Sequence, residues 1–325
     1  EGFESGIEKT GIEGRPIESN DVAAQGEEIA EVIKEGDYAR RALRVGLELE
    51  NELGTNPFKF GLIGSTDSHS SMASAEEGNF WGKFAADSTP AARRDLAILP
   101  GTKNMFGMSA AGLAGVWAKE NTRQSIYEAF MRREVYATSG PRISVRFFGG
   151  FEFRDQDAQA RNLADLGYSK GVPMGGDLTK APAGKAPSFL IHAVKDPKEA
   201  NLDRVQVVKG WLDANGKSHE KVYDVAWSGN RKIGSNGKLP AVGSTVNLET
   251  GNYTNDIGDV ELATVWTDTD FNTSQKAFYY VRVLQIPTPR YSLLDAIALQ
   301  MDNAKTGQPA TIQERAYSSP IWYTP

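Results

Sequence analysis

Apolar positions first recur with a helical period beyond Asp37. Ala39, Ala42, Gly46, Leu49 and Leu53 lie three or four apart, with Leu43 and Leu47 flanking the same stripe. Gly54 follows as a left-handed stop. A short linker with Pro57 leads into "FKFGLIG", residues 58–64, an apolar run of strand length. A helix closing just before a buried strand is half of an α/β repeat. Residues 1–35 are rich in Gly and Glu and carry little period, and Ser68 to Ala111 reads as a long Gly/Ser/Ala-rich loop of the kind that covers sites.

A second helix is predicted from "ENTRQSIYEAFMRREVYA", with Asn121 as N-cap, Gln124 as capping-box partner, and Ile126, Ala129 and Phe130 as the buried stripe. "EVYAT" and "ISVRFF" read as strands around an "SGP" turn, with Ile143, Val145 and Phe147 on one face and Ser144 and Arg146 on the other. Residues 151–186 look like a linker or excursion. Beyond Pro187 the pattern turns almost wholly β. "PSFLIHAV", "DRVQVVKGWL", "HEKVYDVAW", "STVNL", "VELATVWT" and "KAFYYVRVLQI" are short β-branched and aromatic runs, and "DANGKS" supplies a tight hairpin turn between the second and third. Such spacing predicts an antiparallel sandwich.

Composition removes whole classes. The net charge of −6 argues against a nucleic-acid partner, and no apolar run reaches the ~20 residues that span a bilayer. With no cysteine there is no disulfide, thiolate metal site or thiol nucleophile. Cysteine avoidance points toward an exported protein. The chain opens on Glu1 rather than Met, which leads us to expect a portion of a longer protein.

Candidate chemistry concentrates in "GLIGSTDSHSS", residues 61–71. Asp67 and His69 are two apart after an apolar run; in extended geometry both side chains share a face and could grip one divalent metal. Gly64, Ser65 and Thr66 would let a ligand approach the backbone. The competing reading is an ordinary pair of loop hydrogen-bonding groups. Glu76, Glu77 or Asp87 could complete a metal cage if the long loop folds back, and Arg142 after its Gly-Pro turn could clamp an anionic oxygen or be a plain surface arginine. Glu120 and Arg123 flank a helix start, where the dipole explains them; "DTDFNTSQ" lacks the Gly and Glu of a calcium loop and reads as a turn. His192 reads as a satisfied sheet residue and His219 as a solvated one. Trp211, Trp227, Trp266, Tyr279, Tyr280 and Trp322 could line a sugar platform, but their strand positions favour core packing.

"FKFGLIGSTDSH" and "VWAKENTRQSIYEAFMRREVYATSGPRISVRFFGG" resemble the bacterial domain of unknown function 3604 family, as do "LDRVQVVKGWLD", "AFYYVRVLQIPTPR" and "QERAYSSPIWYTP". That family is similar in turn to the PHP (polymerase and histidinol phosphatase) group of metal-dependent phosphoesterases, built on a distorted β/α barrel. Its last barrel strand ends in a Ser-Asp-x-His type signature; "STDSH" matches it, which carries Asp67 and His69 over as implied ligands. The group's His-x-His pair on the first barrel strand is absent here, and no histidine precedes His69.

The expected architecture is therefore α/β plus all-β. Residues 1–150 would form the C-terminal part of a PHP-like β/α barrel, 151–186 a linker, and 187–325 an antiparallel β-sandwich-like domain. The expected function is that of the C-terminal portion of a metal-dependent hydrolase, incomplete over residues 1–325, which uses metal-activated water on a small anionic substrate such as a phosphoester. Its cofactor would be divalent, Zn or Mn, and its location periplasmic or secreted. A non-catalytic β-sandwich binding or structural module is the alternative.

Overall fold

The computed structural model describes residues 38–72, 76–97, 104–108 and 112–325. The Gly/Glu-rich start and parts of the 68–111 loop lie outside the described residues. In chain order the regular elements are α1 (Ala39–Leu53), α2 (Pro90–Asp95), β1 (Leu113–Val116), α3 (Arg123–Met131), β2 (Val135–Thr138), β3 (Ser144–Gly150), α4 (Leu163–Lys170), β4 (Gly171–Pro173) and β5 (Asp177–Thr179). There follow β6 (Ser188–Val194), β7 (Leu202–Leu212), β8 (Ser218–Trp227), β9 (Glu261–Thr267), β10 (Ala277–Gln285), β11 (Thr288–Pro289), α5 (Tyr291–Ala298), β12 (Thr311–Ile312), β13 (Arg315–Ser318) and β14 (Ile321–Thr324).

Two sheets face each other. The larger is built around β10, whose nine positions are all buried, as expected of a near-continuous apolar run. One edge of β10 pairs with β7 along its length, and β7 pairs with β8. The other edge meets the C-terminal strand, which is broken in the middle: β13 covers residues 282–284 and β14 covers 277–279. Two serines lie at the break, one bonded to β10 and the other to β2. The Ser318 hydroxyl accepts the Val281 N–H at 2.9 Å, and that of Ser319 donates to the Val135 carbonyl at 2.5 Å. Each half then recruits its own neighbour, β2 and then β1 beside β13, and β5 in parallel beside β14. The second sheet has the order β4-β3-β6-β9 and is antiparallel throughout. Val145, Phe147, Phe189 and Ile191 from it pack against Val205, Val207, Tyr279, Val281 and Val283.

The sandwich expected beyond Pro187 is present, and it reaches further back. Strands β2, β3 and β5, within residues 135–179, pair with strands of the C-terminal half, so pairing crosses both expected boundaries, at 150 and at 187. Within the expected linker, α4 packs Leu163 against Phe148 and Leu190 on the outer face of the second sheet. Among the described residues no sheet closes into a barrel; the fold is mixed α/β, mostly antiparallel strands. "STVNL" forms no strand, since residues 244–248 are exposed or half-buried and lack a ladder partner. Nor does "FKFGLIG". Its Leu62 N–H donates to the Ser319 hydroxyl and its Gly64 N–H to the Leu113 carbonyl, two bonds to two different elements instead of a ladder.

Helix α1 ends at Gly54 with φ 75°, and buries Leu43 and Leu47 against Val208, Phe278, Tyr280 and Trp322 on the outer face of the larger sheet. Helix α3 starts one residue later than expected: Thr122 is the cap and accepts the Ser125 N–H, while Gln124 bonds to Glu128 instead of closing a capping box. Only Ala129 of its expected stripe is fully buried, and Phe130 is exposed. The long loop acquires a small core of its own, in which Phe80, Met105 and Phe106 surround Tyr291 of α5. Arg93 on α2 makes a bidentate pair with Asp295 on α5 at 2.6 and 2.7 Å, both side chains almost wholly buried.

Removing one partner of such a buried pair leaves an uncompensated charge. Arg93→Met is expected to destabilise the protein by about 3–5 kcal/mol in urea unfolding. A loss below about 1 kcal/mol would mean that the pair is not what holds the loop to α5.

Candidate functional site

Asp67 and His69 lie on a loop whose two sides are tied down. Gly64 sits so close to the larger sheet that a Cβ there would fall 2.6 Å from the Thr138 carbonyl oxygen and 2.7 Å from that of Leu113. The close approach read into this glycine is therefore to the chain's own backbone, not to a ligand. Thr66 offers its carbonyl to the Lys83 ammonium at 2.6 Å, and the His69 N–H donates to the Lys83 carbonyl at 2.7 Å. Between them Asp67 takes φ 50°, and Ser71 follows at φ 61°. A left-handed residue ends strand alternation, so the shared face expected of two residues in extended geometry does not apply here.

Both side chains are exposed. Among the described residues neither the Asp67 carboxylate nor a His69 ring nitrogen has a hydrogen-bond partner; the imidazole is instead stacked on the Phe84 ring, 4.7 Å between centroids and 25° between planes. These are uncommitted donor groups on a fixed loop. Asp87, weighed as a third ligand, is fully buried and accepts the Lys83 and Phe84 N–H groups at 3.1 and 2.7 Å. Glu77 accepts the Tyr291 N–H at the start of α5. Among the described residues no three His, Asp or Glu side chains gather closely enough to hold a metal ion. A catalytic zinc-type centre takes about three protein ligands and an open position. The donor set of Asp67 and His69 suits a divalent metal but supplies only part of its cage.

Arg142 is placed elsewhere. Its side chain is 66% exposed and faces Glu76 at 3.6 Å, while its backbone N–H donates to the buried Asp196. No hydrogen bond or ion pair joins it to Asp67 or His69 among the described residues. Pro141 next to it lines a cavity of about 220 Å³ at one end of the sandwich, together with Glu76, Glu77, Glu199, Tyr253, Leu294 and Glu314. Burial pushes Glu314 up to about 8, with the Glu77 and Glu199 charges adding to the effect and the Ser139 hydroxyl and Arg315 opposing it. Burial also raises Glu77 and Glu199, the latter helped by Asp196. Lys198 lines the cavity with these carboxyls, and Glu76 faces Arg142 at its edge.

His192 pairs with Glu261 at 2.7 Å across β6 and β9, and His219 with Asp213 at 2.7 Å beside the hairpin turn. Tyr279, Tyr280 and Trp322 are core residues, so they offer no sugar platform. "DTDFNTSQ" is a turn, anchored by the buried Lys209–Asp268 pair at 2.6 Å. Sequence reasoning missed Lys83, Phe84, Glu199 and Glu314. Nothing in "NFWGKF" marks Lys83 as buried, since a lysine is ordinarily a surface residue.

A family model described as "Protein of unknown function (DUF3604)" matches residues 17–325. The chain belongs to that family. No curated protein and no solved structure matches it. The DUF3604 match therefore spans both the Asp67–His69 loop and the whole sandwich, and no helix among the described residues is long and apolar enough to cross a membrane.

The acidic cavity gives the protein a pH dependence of definite sign. A carboxyl whose folded value is raised stabilises the fold below its unfolded value of 4.5, and that contribution is lost as pH rises through about 8. Glu314→Gln should remove the part of the decline that Glu314 causes. Its melting temperature is expected to exceed that of the unaltered protein at about pH 9 and to approach it at about pH 5. Parallel melting curves at both values would refute the assignment.

Proposed function

We propose that this chain is the sandwich-bearing portion of a metal-dependent hydrolase acting on a phosphoester or similar small anion. The supporting observation is the fixed loop that presents an exposed carboxylate and an exposed imidazole with no partner of their own. A left-handed non-glycine backbone persists only where its surroundings determine it, and such conformations cluster at functional sites. The reading also rests on the resemblance of "STDSH" to the PHP signature, and it takes the β/α barrel as completed by residues other than those described.

In this reading Asp67 and His69 provide two ligands to a Zn- or Mn-type ion, and the rest of the cage comes from outside the described residues. When bound, such an ion supplies Lewis-acid polarisation of a phosphoryl oxygen and activation of water at neutral pH. The chain's own residues hold the two ligands at the loop tip, close to solvent, and Lys83 keeps Thr66 and His69 in place on either side. Arg142 is assigned to an anionic oxygen of the substrate, with Glu76 as its resting partner. A periplasmic or secreted location accords with the absence of cysteine.

The test uses the protein at its natural length, purified with its metal. Elemental analysis of His69→Ala and Asp67→Asn is expected to show a loss of most bound metal, with phosphoesterase activity on a generic aryl phosphate falling in step. Arg142→Ala should weaken substrate binding and leave metal content intact. Full metal occupancy in both ligand variants would refute the proposal. Loss of metal with no effect on any hydrolytic activity would leave a structural ion and refute the enzyme.

A further inference from the structure

We infer that Lys83 and Phe84 are positioning residues for the Asp67–His69 pair, a role that rests on the ligand reading above. Two adjacent residues make three contacts to the four-residue stretch 66–69. The Lys83 ammonium takes the Thr66 carbonyl, the Lys83 carbonyl takes the His69 N–H, and the Phe84 ring stacks on the imidazole. Thr66 and His69 bracket Asp67, so its left-handed backbone is set from both sides.

The dipeptide is itself rigidly held. Lys83 is only 6% exposed, unusual for a lysine, and a buried ammonium persists only with partners. Both Asp87 carboxylate oxygens accept backbone N–H groups from Lys83 and Phe84, and the Asp87 carbonyl accepts from Arg93, which is paired with Asp295 on α5. Phe84 packs on the small core of Phe80, Met105 and Phe106. A chain of contacts therefore runs from α5 through Arg93, Asp87 and Lys83 to the loop. Metal ligands held by such outer partners bind more tightly, because the backbone is already arranged when the ion arrives.

Two consequences can be measured separately. Stacking places the His69 ring over the face of Phe84, so its ring protons are displaced upfield by the aromatic current. Histidine-selective ring labelling reads this directly once the His69 resonance is assigned by its loss in His69→Gln, and His192 and His219, assigned in the same way, report on the sandwich as internal folding controls. In the protein at its natural length, Phe84→Leu is expected to move the His69 resonance alone, and Lys83→Met to broaden or double it, with His192 and His219 unmoved. Metal affinity, measured with Zn or Mn by competition against a chelating dye, should fall about tenfold to a hundredfold in Lys83→Met and recover in part in Lys83→Arg. An unchanged His69 resonance in both variants overturns the clamp. A displaced resonance with unchanged affinity overturns the positioning role while leaving the ligands in place. Absence of any metal binding in the unaltered protein overturns the ligand reading and this role with it. Should Lys83→Met shift His192 and His219 as well, Phe84→Leu decides.

Discussion

The structure depends on the burial of one strand. Ala277–Gln285 has no exposed position, so every backbone group along it must find a protein partner, on both edges. The β7 strand meets one edge in full. The C-terminal residues meet the other in two pieces, and at the break between them the Ser318 hydroxyl takes the Val281 N–H that no strand partner meets. That break is what lets two unlike neighbours, β2 and β5, join one sheet at different heights. It also gives the Leu62 N–H its partner, and so fixes where the candidate loop leaves the sandwich.

Where burial follows a local period, the sequence was informative. The α1 stripe, its Gly54 stop, the inward Val145 and Phe147, and the hairpin after β7 all follow from two- or four-residue spacing. The domain boundaries did not follow, because they depend on which distant strands pair. Nothing local in "EVYAT" says that its partner lies near residue 317. "FKFGLIG" has the composition of a strand, yet its donors go to a hydroxyl and to the carbonyl of an edge strand, so composition alone misassigned it.

The candidate site divides in the same way. Asp67 and His69 stand out by residue type and spacing, and both are where a ligand could reach them. The groups that fix them are Lys83 and Phe84, separated by a stretch without period and identified only by contact. Glu76, Glu77 and Asp87 were reasonable third ligands by type; the fold commits Glu77 and Asp87 to backbone N–H groups and sets Glu76 beside Arg142. The acidic cavity, assembled from residues more than two hundred positions apart, had no local signature at all.

As proposed, the loop tip is one corner of a metal centre. X-ray absorption at the metal edge, on the protein at its natural length, tests it most directly. The expected spectrum has mixed oxygen and imidazole scattering around the metal, and loses imidazole scattering when His69 is replaced by glutamine. An imidazole contribution that survives that replacement in full would contradict it, as would a shell of oxygen alone in the unaltered protein.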